Sequence, residues 1–294
     1  MAEARPLLGI VLMVLAGLCF AGLDATSKTL SQTFSVPLLV WARYAFHCLL
    51  MVVFLAPSMG LRLVSTRRPL LQVVRALLLV GITGCAMAAF RVMPLAEATA
   101  ILFVTPLAVA LLAGPCLGER IGLGRWLAVA AGFGGVLLIV RPGGDLPAEG
   151  IAFALAGAAC YAAYQIQTRM LSPTENTWTM LFYTALVGTA AMSLALPFIW
   201  EGPLPDWREA MLIASLGIYG GTGHFLLIRA FRHAPASLLA PYLYTQLIWA
   251  GLLGWLFFGQ FPDAVSLAGM GVVAAASIGM TLWERHAARR AAAA

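Results

Sequence analysis

Cys19-Phe20-Ala21 recurs 141 residues later as Cys160-Tyr161-Ala162. The same shift of 141 residues places Ala89-Phe90-Arg91 on Ala230-Phe231-Arg232, so the correspondence runs through both halves of the chain. A duplication of this length in a strongly apolar chain is typical of membrane transporters whose two halves surround a central site. We therefore expect two related halves, residues 1–145 and residues 146–294.

The composition places the chain in a lipid bilayer. Its 294 residues are 62% hydrophobic and 10% charged, with a mean hydropathy of +0.91, whereas soluble domains are about half apolar and a quarter charged. The net charge of +6 comes from cations spread singly between apolar runs, which favours a role in membrane orientation over nucleic-acid binding. The five cysteines have no paired spacing, so we expect no disulfide framework, no metal site and no cofactor.

Ten apolar segments are long enough to span a bilayer as helices, because a spanning helix needs about 20 residues. The predicted spans are residues 7–29, 36–57, 70–91, 95–117, 122–141, 148–170, 177–199, 209–231, 236–258 and 264–284. Five spans per half is an odd number, so the second half enters the membrane inverted relative to the first. The predicted fold is an all-α integral membrane protein with ten transmembrane helices in two inverted five-helix repeats.

Loop cations predict the orientation. Cations at matching positions of inverted halves lie on opposite sides of the membrane, so they cancel when the two orientations are compared. The remaining loop cations, among which we count Arg75, lie mostly on the side of the amino terminus. The positive-inside rule then places both termini in the cytoplasm. We expect a multi-pass protein of a bacterial inner membrane, existing as a monomer or a homodimer. Its expected partners are a small-molecule substrate and the lipid bilayer, and it is expected not to bind nucleic acid.

Three short motifs in the first half carry a family resemblance. The run Ala98-Thr-Ala-Ile-Leu-Phe-Val-Thr-Pro106, the turn Leu117-Gly118-Glu119-Arg120 and the run Gly132-Phe-Gly134-Gly135 resemble the EamA repeat of the drug/metabolite transporter superfamily. The whole chain resembles its ten-span members. The second half departs from the motifs, since Leu247 stands where Pro106 maps and Gln260 where Glu119 maps.

The resemblance implies secondary transport of small organic solutes, often export, with a cavity enclosed by spans one to four and six to nine. Spans five and ten would then lie outside this core, and their small-residue seams, Gly124, Ala128 and Gly132 in one and Gly271, Ala275 and Gly279 in the other, suit close helix packing or dimerisation. Pro106 is expected to kink span four. Glu119 is expected to cap the turn into span five.

Charged residues within spans one and two are candidates for substrate binding or gating, since charges at bilayer depth are costly. Asp24 and Lys28 are four residues apart, on the face that carries Phe20, and are predicted to form an intrahelical ion pair. This ion pair acts either in gating or recognition of the substrate's charge, or as a solvated pair that caps the span. Arg43 and His47 are also four residues apart. A contact between Asp24 and Arg43 is expected, and the pair would either bind the two charged groups of a zwitterion or only neutralise each other's charge.

The second half supplies aromatic and amide candidates. In span six, Tyr161, Tyr164, Gln165 and Thr168 share one helical face, which faces either the cavity or another span. Span eight adds His224, which is either a packing residue or a proton carrier, after glycines that are expected to loosen the helix. Span nine contributes a further set of candidates, Tyr244, Gln246 and Trp249.

These residues favour a secondary transporter that exports neutral or zwitterionic metabolites by alternating access. Aromatic or hydrophobic amino acids are the leading substrates, and other drugs or metabolites are the alternative. An integral-membrane enzyme is disfavoured because the chain has no His-Glu-x-x-His or Gly-x-Ser-x-Gly motif. ATP drive is disfavoured because there is no phosphate-binding Gly-x-x-x-x-Gly-Lys loop. A channel is not excluded by composition.

Overall fold

The computed structural model describes residues 6–117, 123–141, 144–171, 174–199, 203–233, 239 and 242–293. Residues 1–5, residue 294 and the turn that contains Glu119 are among the parts of the chain outside these ranges. The expected capping role of Glu119 is therefore untested. Within them the fold is all-α. The helices are α1 Pro6–Leu30, α2 Val36–Met59, α3 Pro69–Val92, α4 Leu95–Leu102, α5 Thr105–Leu117, α6 Leu123–Val140, α7 Ala148–Leu171, α8 Thr177–Ile199, α9 Trp207–His233, α10 Thr245–Phe258 and α11 Ala264–Ala293.

Five of the described helices are long and apolar enough to cross a membrane, and these are α1, α2, α3, α8 and α9. Shorter apolar helices account for the spans formed by α4 and α5, by α6, by α10 and by α11. Helix α7 has 24 residues, as many as α3, and its lower apolar content reflects the polar face with Tyr164, Gln165 and Thr168. The predicted ten-span membrane fold is confirmed at this level.

The helix packing has the pattern expected of two equivalent halves. Helix α1 packs on α9, and the equivalent pair α7 and α3 packs in the same way. Contacts of α2 with α9 recur as contacts of α8 with α3, and contacts of α1 with α10 recur as contacts of α7 with α4 and α5. Helices α2 and α8 pack on each other, as do α6 and α11. Each half therefore completes the other, and the interior is built from both.

Span four is interrupted at Phe103 and Val104, which form a turn between α4 and α5. Proline has no N–H for the carbonyl four residues earlier, so Pro106 leaves the Leu102 carbonyl free, and Thr105 Oγ1 donates to that oxygen at 2.7 Å. The expected distortion is present, but it is a break before Pro106 rather than a kink at it.

The second half is interrupted at the equivalent residue, Tyr244, although Leu247 rather than a proline stands at the position of Pro106. The Leu247 backbone N–H donates to the Tyr244 carbonyl, three residues earlier, at 3.0 Å. The Phe103 and Tyr244 rings contact each other with centroids 5.2 Å apart. The two breaks therefore meet between the halves, where half-helices commonly line the midplane site of a transporter.

Two expectations about glycines need correction. Helix α9 is continuous through Gly220, Gly221 and Gly223, so these glycines do not loosen it. In the α6–α11 pair the closest approach is at Gly135 and Gly269, where a Cβ on either would come within 2.8 or 2.7 Å of the other's carbonyl oxygen. A Cβ on Gly271 or Gly279 would meet nothing within 4 Å, so the seam predicted for span ten is only partly used.

Candidate functional site

Six of the residues singled out in the sequence come from four helices that pack together. They are Phe20 and Asp24 of α1, Arg43 and His47 of α2, His224 of α9 and Gln246 of α10, and we call them the Asp24 cluster. All six side chains are partly exposed although their helices pack together. Partial exposure of side chains that gather from four packed helices indicates that they line an internal cavity.

The Asp24 carboxylate accepts a hydrogen bond from Gln246 Nε2 at 3.0 Å. This contact joins residues 222 positions apart, one from each half. In the described part of the chain no ion pair within 4.0 Å links Asp24 to Arg43 or to Lys28. The expected Asp24–Lys28 pair is therefore wrong, and the expected Asp24–Arg43 contact is absent in this conformation.

Lys28 is held elsewhere. Its Nζ donates to the carbonyl oxygens of Phe90 at 2.8 Å and Met93 at 2.5 Å, and it lies 5.3 Å from the centre of the Phe258 ring. The carbonyls that end α3 have no helical partners, and an ammonium group is favourable beside them. Lys28 therefore caps α3 and is not the partner of Asp24.

Arg43 is held by hydroxyl groups. Its Nη1 donates to Thr83 Oγ1 at 3.0 Å, and Tyr44 Oη lies 2.9 Å from the same oxygen. Arg43 and Asp24 thus carry opposite charges within one cluster, and the side chains that form hydrogen bonds with them are neutral. Both charges remain able to interact with a bound molecule.

Three aromatic rings of the Asp24 cluster contact each other. The Phe20 ring meets the His224 ring edge-on, with centroids 5.1 Å apart and planes at 68°. The His47 and His224 rings are nearly parallel, at 8°, with centroids 6.2 Å apart. Gly223 permits this arrangement, since a Cβ there would lie 2.8 Å from the Phe20 ring. The glycines of α9 thus allow close packing around the rings.

A second polar cluster lies among α3, α7 and α8, and Arg75 is at its centre. Its guanidinium donates to Thr168 Oγ1 and to Tyr164 Oη, each at 2.7 Å, to Thr184 Oγ1 at 3.1 Å and to the Met180 carbonyl at 3.0 Å. Arg75 is only 2% exposed. We call Arg75, Tyr164, Thr168 and Thr184 the Arg75 cluster.

Counting Arg75 as a loop cation was wrong, because its side chain is buried seven residues into α3. The predicted span 70–91 already contained it, and that boundary was the signal that should have identified it. Thr83, which binds Arg43, was also missed, since a threonine in an apolar helix gives no signal in the sequence. Threonine hydroxyls in helices usually bond back to their own backbone, as Thr83 also does with the Leu79 carbonyl.

The polar face of α7 is packed in one part and exposed in another. Tyr164 and Thr168 bind Arg75 of α3, so this part of the face packs against another span. Tyr161 is 37% exposed, and its ring stacks on that of Tyr164 with centroids 5.9 Å apart. Gln165 is partly exposed beside them.

Two candidates of span nine lie outside both clusters. Tyr244 contacts Phe103 at the meeting of the two helix breaks. The indole N–H of Trp249 is buried without a hydrogen-bond partner among the described residues. The structure therefore joins only Gln246 of this set to the Asp24 cluster.

Among the residues that the structure describes, one ion pair lies outside the spans. Asp263 caps α11, accepting a hydrogen bond from the Ser266 backbone N–H at 2.7 Å, and it pairs with Arg141. The backbone hydrogen bond from Ser266, followed by the Arg141 guanidinium, lowers the pKa of Asp263 to about 2. The contact joins the end of the first half to the last helix.

Comparison with known proteins gives consistent results over nearly the whole chain. The model of the EamA-like transporter family matches residues 7–141 and again residues 148–282, which repeats the internal shift of 141 residues. A riboflavin transporter of Vibrio cholerae is 27% identical over 97% of this chain and 97% of its own length. A pseudopaline exporter of Pseudomonas aeruginosa is 29% identical over 93% and 95%.

An S-adenosylmethionine uptake transporter of Rickettsia bellii is 30% identical over 90% of both chains. One solved crystal structure covers 97% of this chain and 100% of its own, with a TM-score of 0.64 and 19% identity. At that identity the likeness supports the fold alone. The named relatives are transporters of different small metabolites.

Proposed function

Because the chain belongs to the EamA-like transporter family, we propose that it is a secondary transporter that exports small zwitterionic metabolites, with aromatic or hydrophobic amino acids as the leading candidates. The Asp24 cluster is the proposed substrate site. The observation that carries this proposal is the presence of Asp24 and Arg43 in one cavity without an ion pair between them. An ammonium group suits the Asp24 carboxylate, and a carboxylate suits the Arg43 guanidinium.

The rings of Phe20, His47 and His224 support an apolar or aromatic body on the same molecule. Edge-on and offset-stacked aromatic contacts each contribute about 0.5–1.5 kcal/mol beyond the area they bury. S-Adenosylmethionine, the substrate named for one relative, combines an amino-acid group with a flat heterocycle. That combination matches a site with two opposite charges beside three rings.

Alternating access is the proposed mechanism. In it the halves 1–145 and 146–294 rock against each other and expose the cavity to each side in turn. In this mechanism Lys28, which donates to the Phe90 and Met93 carbonyls, acts in gating and leaves the carbonyl end of α3 when that end opens.

We also propose that both termini are cytoplasmic in a bacterial inner membrane. With Arg75 removed from the count of loop cations, Arg62 and Arg68 still precede α3 on the side assigned to the cytoplasm, which supports this orientation. A tag at the carboxyl terminus should react with a membrane-impermeant label only after cells are permeabilised. Labelling in intact cells would contradict the orientation.

Counterflow in proteoliposomes tests the function. Purified protein is reconstituted, the vesicles are loaded with unlabelled solute, and uptake of the same labelled solute is followed for phenylalanine, tryptophan, leucine, S-adenosylmethionine and riboflavin. We expect saturable uptake of at least one amino acid, accelerated by trapped solute. Conductance without saturation would instead indicate a channel.

Asp24→Asn removes the charge proposed to bind the ammonium group. A charged hydrogen bond contributes about 1.5–3 kcal/mol, so we expect a rise in KM of roughly 10- to 100-fold. Asp145→Asn is the matched control, because it removes an exposed carboxylate from a loop. Equal effects of the two variants would overturn the assignment of Asp24.

A flat, uncharged heterocycle is the second candidate substrate. It is favoured by the nearly parallel His47 and His224 rings, and riboflavin is the substrate named for one relative. Riboflavin uptake that is insensitive to Asp24→Asn, with no uptake of any amino acid, would select this candidate. The direction of net transport follows from initial rates measured in vesicles of known orientation.

A further inference from the structure

Arg75 is the buried cation for which the described structure provides no countercharge. The buried or cavity-lining ionisable side chains of the described spans include three cations, Lys28, Arg43 and Arg75, and two acids, Asp24 and Glu97. Glu97 lies in electrostatic range of Lys28, and Asp24 in range of Arg43. All four acceptors of Arg75 are neutral oxygens.

A buried charge without an opposite charge is unfavourable even when its hydrogen bonds are made. Gln72 gives a second, independent sign of a missing ligand. It lies three residues before Arg75, on the same side of α3, and it is fully buried with neither amide atom hydrogen-bonded within the described chain. Buried side-chain amides normally find partners, so this region has an unused donor beside an uncompensated guanidinium.

The pseudo-symmetry of the chain gives this arrangement a meaning. A shift of 141 residues places Arg43 on Thr184 and Arg75 on Leu216, so neither arginine has an arginine as its counterpart. Yet Arg75 donates to Thr184 at 3.1 Å. Its guanidinium therefore lies beside the position in the second half that corresponds to Arg43 in the first, although it comes from a different helix.

We propose that Arg75, with Tyr164, Thr168 and Thr184, forms a second subsite that binds the carboxylate of the transported molecule. The subsite rests on the proposed transport function and extends it, because substrates must then carry a carboxylate. Arg43 holds this group at one depth of the pathway and Arg75 holds it at the other. In the present conformation the hydroxyls of Tyr164, Thr168 and Thr184 occupy the donors that the carboxylate would take, which keeps this subsite closed.

The test compares an acid with its amide in the proteoliposomes described above, using L-phenylalanine and L-phenylalaninamide. We expect the parent protein to transport the acid at least tenfold faster than the amide. Arg75→Gln should lower transport of the acid at least tenfold and leave the slow transport of the amide unchanged. Arg75→Lys, which keeps the charge, should recover part of the lost activity.

Two further variants separate binding from folding. Tyr164→Phe removes one hydroxyl that competes with the carboxylate for Arg75, so it should lower the KM for the acid without changing the amount of folded protein. Arg91→Gln is the matched control, because it removes an exposed arginine from the same helix. It should behave like the parent.

Equal loss of acid and amide transport in Arg75→Gln would overturn the subsite and indicate a purely structural arginine. Equal transport of acid and amide by the parent protein would also overturn it. Transport of riboflavin alone would reject the subsite but leave the transporter proposal standing. Failure to transport any solute of the panel would reject the proposed function itself.

Discussion

The Asp24 cluster and the Arg75 cluster lie on equivalent helices of the two halves and share one equivalent position, Arg43 in the first and Thr184 in the second, yet they differ in charge and in accessibility. The first is built on α1, α2, α9 and α10, and the second on α7, α8 and α3, which are the equivalents of α1, α2 and α9. The first contains both charges and lines the cavity, whereas the second contains one buried guanidinium bound by hydroxyls. Duplication thus preserved the helix packing, and substitution gave the two sites different chemistry.

Three members of the Asp24 cluster have neutral equivalents in the other half. Asp24 corresponds to Gln165, His224 to Thr83 and Arg43 to Thr184, and of these three only Thr184 belongs to the Arg75 cluster. Each pair has one titratable member and one neutral, hydrogen-bonding member. An inverted pair with identical sites would offer the substrate the same environment from both sides. The observed difference favours one direction of binding over the other.

The largest effect is expected from placing an arginine at the position equivalent to Arg43. Thr184→Arg would bring a second guanidinium against Arg75, whose Nη1 lies 3.1 Å from Thr184 Oγ1. A buried charge without a partner costs about 3–5 kcal/mol, so we expect a large fall in the thermal unfolding temperature of the purified protein.

Combining Thr184→Arg with Arg75→Leu tests the comparison directly. This double variant gives each position the residue type found at its equivalent in the other half, arginine as at Arg43 and leucine as at Leu216. We expect it to recover at least half of the lost unfolding temperature. A double variant no more stable than Thr184→Arg alone would show that the two clusters are not equivalent environments.

A smaller effect is expected from the imidazole rings, which only the Asp24 cluster has. His47→Ala and His224→Ala each remove one ring of the parallel pair, and a ring contact contributes about 0.5–1.5 kcal/mol, so KM should rise roughly 2- to 10-fold. His47→Phe should retain most of the affinity, since it keeps a ring. Loss of activity in His47→Phe equal to that in His47→Ala would indicate that the imidazole nitrogens, not stacking, are required.

Much of the fold was predictable from the sequence because apolar length and an internal repeat are properties of the chain alone. The contact between Asp24 and Gln246 was not, because it joins residues 222 positions apart and depends on how the halves dock. Lys28 was assigned to Asp24 from their spacing on one helix, but its ammonium group binds the free carbonyls at the end of α3, a contact between helices that this spacing does not predict. Arg75 shows the limit of charge counting, since a cation near a helix end can turn inward.

Helix α9 offers a test of close packing around the Asp24 cluster. Gly223→Ala would place a Cβ 2.8 Å from the Phe20 ring, and overpacking typically costs about 1–3 kcal/mol. We expect a lower unfolding temperature and a higher KM, because the Phe20 ring must move. Gly251→Ala is the control in α10, where a Cβ meets nothing within 4 Å. It should be neutral or stabilise by about 0.4–1 kcal/mol.

The smallest effect is expected at the contact that joins the end of the first half to the last helix. The pKa of Asp263 is lowered to about 2 by the Ser266 backbone N–H and by Arg141, from about 3.9 in an unfolded chain. A carboxylate with a lowered pKa stabilises the fold at pH values above about 4, and this stabilisation is lost as the pH falls toward 2. Asp263→Asn should therefore unfold at a slightly lower temperature than the parent at pH 7, and the difference should shrink between about pH 4 and pH 2. Asp145→Asn, which removes another loop carboxylate, should show no such pH-dependent difference, and a difference for Asp263→Asn that is constant with pH would mean that its charge does not contribute.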